Sequence, residues 1–168
     1  MSNLHDSTAK HAKVLWSTES IRLRPESFQA RFDELYRSAE GPATLWHLGG
    51  AASDYLRVHP GSIQVPEGLI EALLKSPIVD GRIIGRKLAN RCSFDAERTL
   101  SSILDALNSG HESEICGGLF ELWNLLERDT VAPMIHHEGL FCALANLTRA
   151  KDAYVRDSAS RLFDRLKA

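Results

Sequence analysis

Cysteine is scarce in this chain. Cys92, Cys116 and Cys142 are three in 168 residues, an odd number with no CxxC spacing. That excludes a disulfide framework, and the three read as small buried hydrophobes in a reducing compartment. Long apolar runs are missing too. No stretch of about 18 apolar residues occurs, so no helix is expected to cross a membrane. The opening Met-Ser-Asn-Leu-His-Asp-Ser-Thr-Ala-Lys has none of the apolar core of a signal peptide. A cytoplasmic location is the expectation. An excess of one charge is also absent: the net charge is −2, which disfavours a nonspecific grip on nucleic acid or an anionic membrane. There is no GxGxxG, no Walker loop and no GxSxG, so no familiar nucleotide-binding or hydrolase signature points to chemistry. No cofactor is expected. Beyond Pro66 short alternating strands are absent as well, which leaves a sheet-based fold little support.

What is present is a repeat. Leu69-Ile70-Glu71-Ala72-Leu73, Ile103-Leu104-Asp105-Ala106-Leu107 and Leu140-Phe141-Cys142-Ala143-Leu144 share one pattern, two apolar residues, any residue, Ala, Leu, at shifts of 34 and 37. A period of that length is the mark of stacked helix pairs, each burying its apolar face against its neighbours. The spacing predicts first helices over 66–75, 96–108 and 138–148, and second helices over 78–92, 112–128 and 152–167. Short turns at Ser76-Pro77, Asn108-Ser109-Gly110 and Ala150-Lys151-Asp152 join the members of each pair, as antiparallel neighbours require. Thr130-Val131-Ala132-Pro133 separates the last two pairs. The second helices echo as well: Ile115, Leu119, Leu122, Trp123 and Leu126 match Val155, Ala159, Leu162, Phe163 and Leu166 at a shift of 40, one face of a helix.

Upstream the pattern is looser. Residues 1 to about 12 are polar and expected to fray, and Val14-Leu15-Trp16 and Ile21-Arg22-Leu23 are strand-like runs. Pro25 suits a helix first turn, Phe28, Phe32, Leu35 and Tyr36 continue at helical spacing, and Gly41-Pro42 ends that helix. Leu45, Leu48, Ala52, Tyr55 and Leu56 suggest another helix. Gly49 and Gly50 within it cost about 1 kcal/mol each relative to Ala, which implies close approach or a kink. With ordinary apolar and charged contents of 43% and 25%, one domain over 1–168 is expected, burying about 70% of the unfolded chain's surface.

Asp152-Ala153-Tyr154-Val155-Arg156-Asp157-Ser158-Ala159, followed by Leu162, resembles the second helix of a HEAT repeat, Asp-x-x-Val-Arg-x-x-Ala with a later Leu. Asp152 is placed to cap the helix, with Arg156 one turn on as its charge partner. The resemblance covers roughly 66–168 and is clear in the last pair; HEAT and armadillo repeats are not separated by it. It implies an all-α fold, a short HEAT-like α-solenoid of stacked antiparallel helix pairs. That fold would comprise an irregular N-terminal segment (1–25), an N-terminal helix pair (26–65) and three HEAT-like pairs (66–168). It also implies a partner bound along the concave face that second helices line.

Four groups of residues are candidates for function. Arg82, Arg86, Lys87 and Arg91 fall on one predicted helix with no acid between Asp80 and Asp95. They read either as a basic patch for an acidic partner or as charges paired with neighbours such as Glu67 and Glu71. His111-Glu112 and His137-Glu138 each open a predicted helix. The segment Pro133-Met134-Ile135-His136-His137-Glu138-Gly139-Leu140 resembles part of deoxyhypusine hydroxylase, a HEAT-repeat di-iron enzyme family with four His-Glu motifs. Imidazole and carboxylate suit non-haem iron, and the bland alternative is a polar helix start. Asp105, Glu112, Glu114, Glu121, Glu127 and Asp129 make the middle pair acidic, either as a solvated face or as a surface for a basic partner. Trp16, Trp46 and Trp123 could anchor an interface, although Trp123 lies on the apolar stripe and is expected in the core. The expected function is a non-catalytic protein-binding module, with a small bacterial immunity or adaptor protein as the favoured form. The alternative is a metal-dependent enzyme at His111, Glu112, His137 and Glu138.

Overall fold

The computed structural model describes residues 2–128 and 137–167, with side chains from residue 7 onward. The predicted separator Thr130–Pro133, Asp129 and the Pro133–His136 part of the second resemblance lie outside these residues. Among the described residues the chain is all-helical, without a strand. The helices are α1 (Ser2–Leu15), α2 (Pro25–Arg37), α3 (Pro42–Val58), α4 (Glu67–Leu74), α5 (Val79–Arg91), α6 (Ala96–Leu107), α7 (Glu112–Leu126), α8 (Glu138–Leu147) and α9 (Ala153–Lys167), with a 3-10 turn at Ser20–Arg22. The six helices predicted downstream of Pro66 are all present, with every end within two residues of expectation. Among the described residues no helix is long and apolar enough to cross a membrane.

Close contacts divide the chain into two compact units, one ending at Phe94 and the other beginning at Asp95. The sequence suggests one domain, with α4 and α5 beginning the regular repeat; in the structure these two helices belong to the N-terminal unit.

In the N-terminal unit α3 is the hub, with α1, α2, α4 and α5 packed on it. Its sequence explains why. Gly49, Gly50, Ala51, Ala52 and Ser53 are all buried, and a helix of small residues lets neighbours approach from every side. A Cβ on Gly50 would fall 2.6 Å from the Trp16 ring, so the glycine pair serves close approach. Gly85 of α5 plays the same part, since a Cβ there would come 2.8 Å from the Leu74 main-chain nitrogen. A column of rings completes this core: Tyr36 on Phe32, Phe32 on Phe28, Phe28 on Tyr55 at 3.9 Å between centroids, and Tyr55 against His59. The Tyr55 hydroxyl donates to the Leu23 carbonyl at 2.7 Å, which ties the segment before α2 to α3.

The segment expected to be irregular forms α1. Its polar composition hides two inward residues, Ala12 and Leu15, at 0% and 4% exposure. The helix is stabilised by docking on α3 rather than by its own propensity. The strand-like runs are absorbed by the end of α1 and by the 3-10 turn.

In the C-terminal unit α6 packs on α7, α8 on α9, α6 on α8 and α7 on α9. The core is a set of helical stripes: Leu100, Ile103 and Leu107; Leu119, Leu122 and Leu125; Leu140, Ala143 and Leu144; Val155, Ala159, Leu162 and Leu166. Gly118 of α7 sits where a Cβ would be 3.1 Å from Ala106 of α6, so small residues set the approach of this pair. Asp95 and Asp152 each accept a backbone N–H at 2.8 Å, from Arg98 and Val155 respectively, satisfying a donor that the helix start leaves without an intrahelical partner.

Candidate functional site

Helix α7 is apolar over more of its circumference than one core stripe needs. Leu119, Leu122 and Leu125 fill the interior. Phe120 and Trp123, one turn apart, stand 52% and 42% exposed. On α9, Val155, Ala159 and Leu162 face inward, while Tyr154 is 54% exposed. Tyr154, Ser158 and Arg161 recur at i, i+4 and i+7, a single helical face. These side chains meet in a groove between α7 and α9 of about 250 Å³, lined by Phe120, Trp123, Tyr154, Ser158 and Arg161 over Leu119 and Leu162. Among the described residues five large apolar side chains are exposed, and three of them line this groove. Exposed aromatics gathered in one concave place mark an interaction surface, whereas scattered ones do not.

The groove is held in shape. The Arg165 guanidinium carbon stands 4.6 Å from the centre of the Trp123 ring, while Nη1 of the same residue donates to Glu127 Oε1 at 2.8 Å. The cation over the indole face and the ion pair beyond it fix the ring's orientation. Nearby, Phe163 packs edge-on to Phe141 at 6.0 Å with Lys167 over its other face. Trp123, expected in the core, is therefore part of the surface. Its counterpart one shift along, Phe163, is the partly buried one. Leu125, which the echo does not include, is buried. The signal is legible in the excess of apolar residues on α7, eight of the twelve from Ile115 to Leu126.

The four basic residues of α5 do not form one open face. Arg86 is 1% exposed, so its charge lies in the interior. Arg82 Nη1 donates to the Ser76 carbonyl at 2.7 Å and closes the turn between α4 and α5. Arg91 Nη1 donates to the Ser53 carbonyl at 2.8 Å and also contacts Ser53 Oγ, tying α5 to α3. Lys87 is half-buried. It lines a separate cleft of about 210 Å³ together with Trp16, Trp46, Asp54 and Asp80. In that cleft Trp16 Nε1 donates to Asp54 Oδ2 at 2.7 Å, and Trp46 meets Trp16 edge-on at 5.7 Å. His47 stacks on Trp46. Burial holds its imidazole below the ordinary value of 6.5, with Lys13 pushing the same way against a smaller opposite contribution from the Ala43 backbone. The two indoles of this unit are thus packing elements around Gly50, not exposed anchors.

His111, Glu112, His137 and Glu138 are all exposed. His111 and His137 are the residues before the first turns of α7 and α8, and the pairs open two different helices. Among the described residues no group of three His, Cys, Asp or Glu side chains is placed to hold a metal. The acidic run of the middle pair is divided as well. Glu114 and Glu121 are 2% exposed and interior, while Glu112 and Glu127 face solvent. Cys142, expected to be buried, is exposed, and Cys116 is half-buried. Burial pushes the Cys116 thiol up, and Asp152 and Glu112 add to the effect, so the reactive thiolate is disfavoured there.

An opening of about 530 Å³ in the N-terminal unit lies between α2 and residues 61–66. Its polar groups serve each other. Gln29 donates to Asp33 at 2.8 Å and to the Gln64 carbonyl at 3.1 Å, and accepts from the Gln64 N–H at 2.7 Å. That amide staples the loop to α2 and explains the opening structurally.

Comparison of the chain with known protein families, with curated proteins and with solved structures finds no match.

Proposed function

We propose that this protein is a non-catalytic protein-binding module whose partner docks on the α7–α9 groove. The observation that carries the reading is the gathering of Phe120, Trp123 and Tyr154 around one concave, apolar surface. Each such ring has an apolar payload of roughly 150–250 Å², and its unburied part is stabilisation that only a partner recovers, at about 25 cal/mol per Å². Trp and Tyr are also the residues in which binding energy concentrates at interfaces. Two further points favour the reading. The contacts α6–α7, α8–α9, α6–α8 and α7–α9 support the reading of two stacked helix pairs that the repeat suggests. The HEAT-like resemblance of 152–162 would place binding on second helices, and α7 and α9 are the second helices of their pairs. Within this class we favour a small immunity-type or adaptor protein that acts by surface complementarity.

The test is affinity capture from the cells that make the protein, with three baits whose folds are first matched by circular dichroism. A protein retained by the wild type should be retained by Val14→Ser/Val58→Ser, which removes exposed apolar residues of the other unit. It should be lost with Phe120→Ser/Trp123→Ser. Retention that ignores the second double substitution would end the reading.

A further inference from the structure

The shape and charge of the α7–α9 groove narrow the kind of partner it fits, and the argument rests on the reading just given. The seven lining residues include one charged side chain, Arg161, which is exposed. No carboxylate lines the groove. The exposed acids nearby are disposed elsewhere: Asp157 pairs with Arg156 at 3.6 Å, Glu127 with Arg165 at 2.8 Å, and Asp164 lies outside the lining. A partner that fills the apolar trough must therefore bring its charged groups past a cation. A carboxylate there is attracted in a partly desolvated setting, and a lysine or arginine is repelled.

The partner's backbone is constrained as well. Both walls are helices, whose N–H and C=O groups are spent on their own ladders, and among the described residues there is no strand edge for an extended segment to pair with. A segment that satisfies its own backbone is the one that can lie in such a trough without unpaired polar groups. On α9 the lining runs from Tyr154 to Leu162, which at about 1.5 Å per residue is roughly 12 Å, or two helical turns.

We infer that the occupant is an amphipathic helical segment of a protein partner, with apolar side chains at i, i+3 and i+4 in the groove and an Asp or Glu set against Arg161. Arg161 would select the charge, and the Phe120, Trp123 and Tyr154 rings would supply the affinity.

A displayed library of random peptides of about 16 residues, long enough for four turns, tests this. Selection is run in parallel on the full chain, on Arg161→Glu and on Phe120→Ser/Trp123→Ser. The wild type should enrich sequences with apolar residues at helical spacing and an acid beside them. Synthetic versions should bind with anisotropy changes that weaken at least about threefold on Arg161→Glu and vanish with the double substitution, and selection on Arg161→Glu should lose the acidic bias. Enriched peptides without acidic bias, or rich in proline, that still need Trp123 would overturn the inference and leave the protein-binding reading standing. No groove-dependent peptide, with sedimentation showing a dimer that Trp123→Ser dissolves, would assign the groove to a second copy of this chain. No groove-dependent peptide and no self-association would overturn both.

Discussion

His47 shows how a residue's chemistry follows from where its neighbours put it. Its ring is stacked on Trp46, and burial, then Lys13, hold its folded-state value below the ordinary 6.5. The unfolded chain therefore takes up a proton that the folded one resists, so the stability this residue leaves intact above about pH 6.5 is lost as pH falls through that value toward the lowered one. Denaturation midpoints measured from about pH 7.5 to about pH 5 should fall more steeply for the wild type than for His47→Gln; equal slopes would contradict the assignment. The arginines of α5 teach a related lesson. Sequence shows that no acid follows Asp80 on the helix that carries Arg82, Arg86 and Arg91. It does not show that Arg82 and Arg91 reach the carbonyls of Ser76 and Ser53, or that Arg86 lies in the interior. A cation's partner is set by tertiary neighbours, and main-chain oxygens leave no trace in charge patterning.

At the scale of the element, the helices that could be read were those with punctuation and a strong stripe. Pro25 and Pro42 at first turns, Asp95 and Asp152 at caps, and Gly110 at a positive φ of 73° bracket α2, α3, α6, α7 and α9. Helix α1 has no such signals, because two inward residues docking on α3 decide it. Repeat matching put Trp123 on the core stripe with Leu119 and Leu122, whereas Trp123 is 42% exposed and Leu125, outside that stripe, is buried. Alignment of two helices says which positions correspond, and a wide apolar arc leaves the choice of buried face to the neighbours. The cap at Asp152 is a quantity that can be checked. Asp152→Ala removes the acceptor of the Val155 N–H, 2.8 Å away, and should lower stability by about 1 kcal/mol. A urea denaturation curve indistinguishable from that of the wild type would remove the cap from the account. Arg156, expected to pair with Asp152, instead reaches the Ala150 and Lys151 carbonyls, so Arg156→Gln should not reproduce that loss through Asp152.

For the molecule as a whole, the echo at shifts of 34 and 37 located helices correctly but did not reveal that contacts gather into two units at Phe94 and Asp95. A repeat in sequence reports helix spacing, while grouping depends on which small residues let helices meet, as Gly49, Gly50 and Gly85 do on one side of that boundary and Gly118 on the other. The candidate surface was legible only in part, as apolar positions on α7 and α9, because exposure of Phe120, Trp123 and Tyr154 emerges from how these two helices turn against each other. The central claim is that this groove is where a partner sits. Amide hydrogen exchange of the protein alone and in complex with the captured partner tests it most directly. The account predicts new protection over residues 119–123 and 154–162 and unchanged exchange in α5. Protection confined to α5, with the α7–α9 groove exchanging as in the unbound protein, would contradict it.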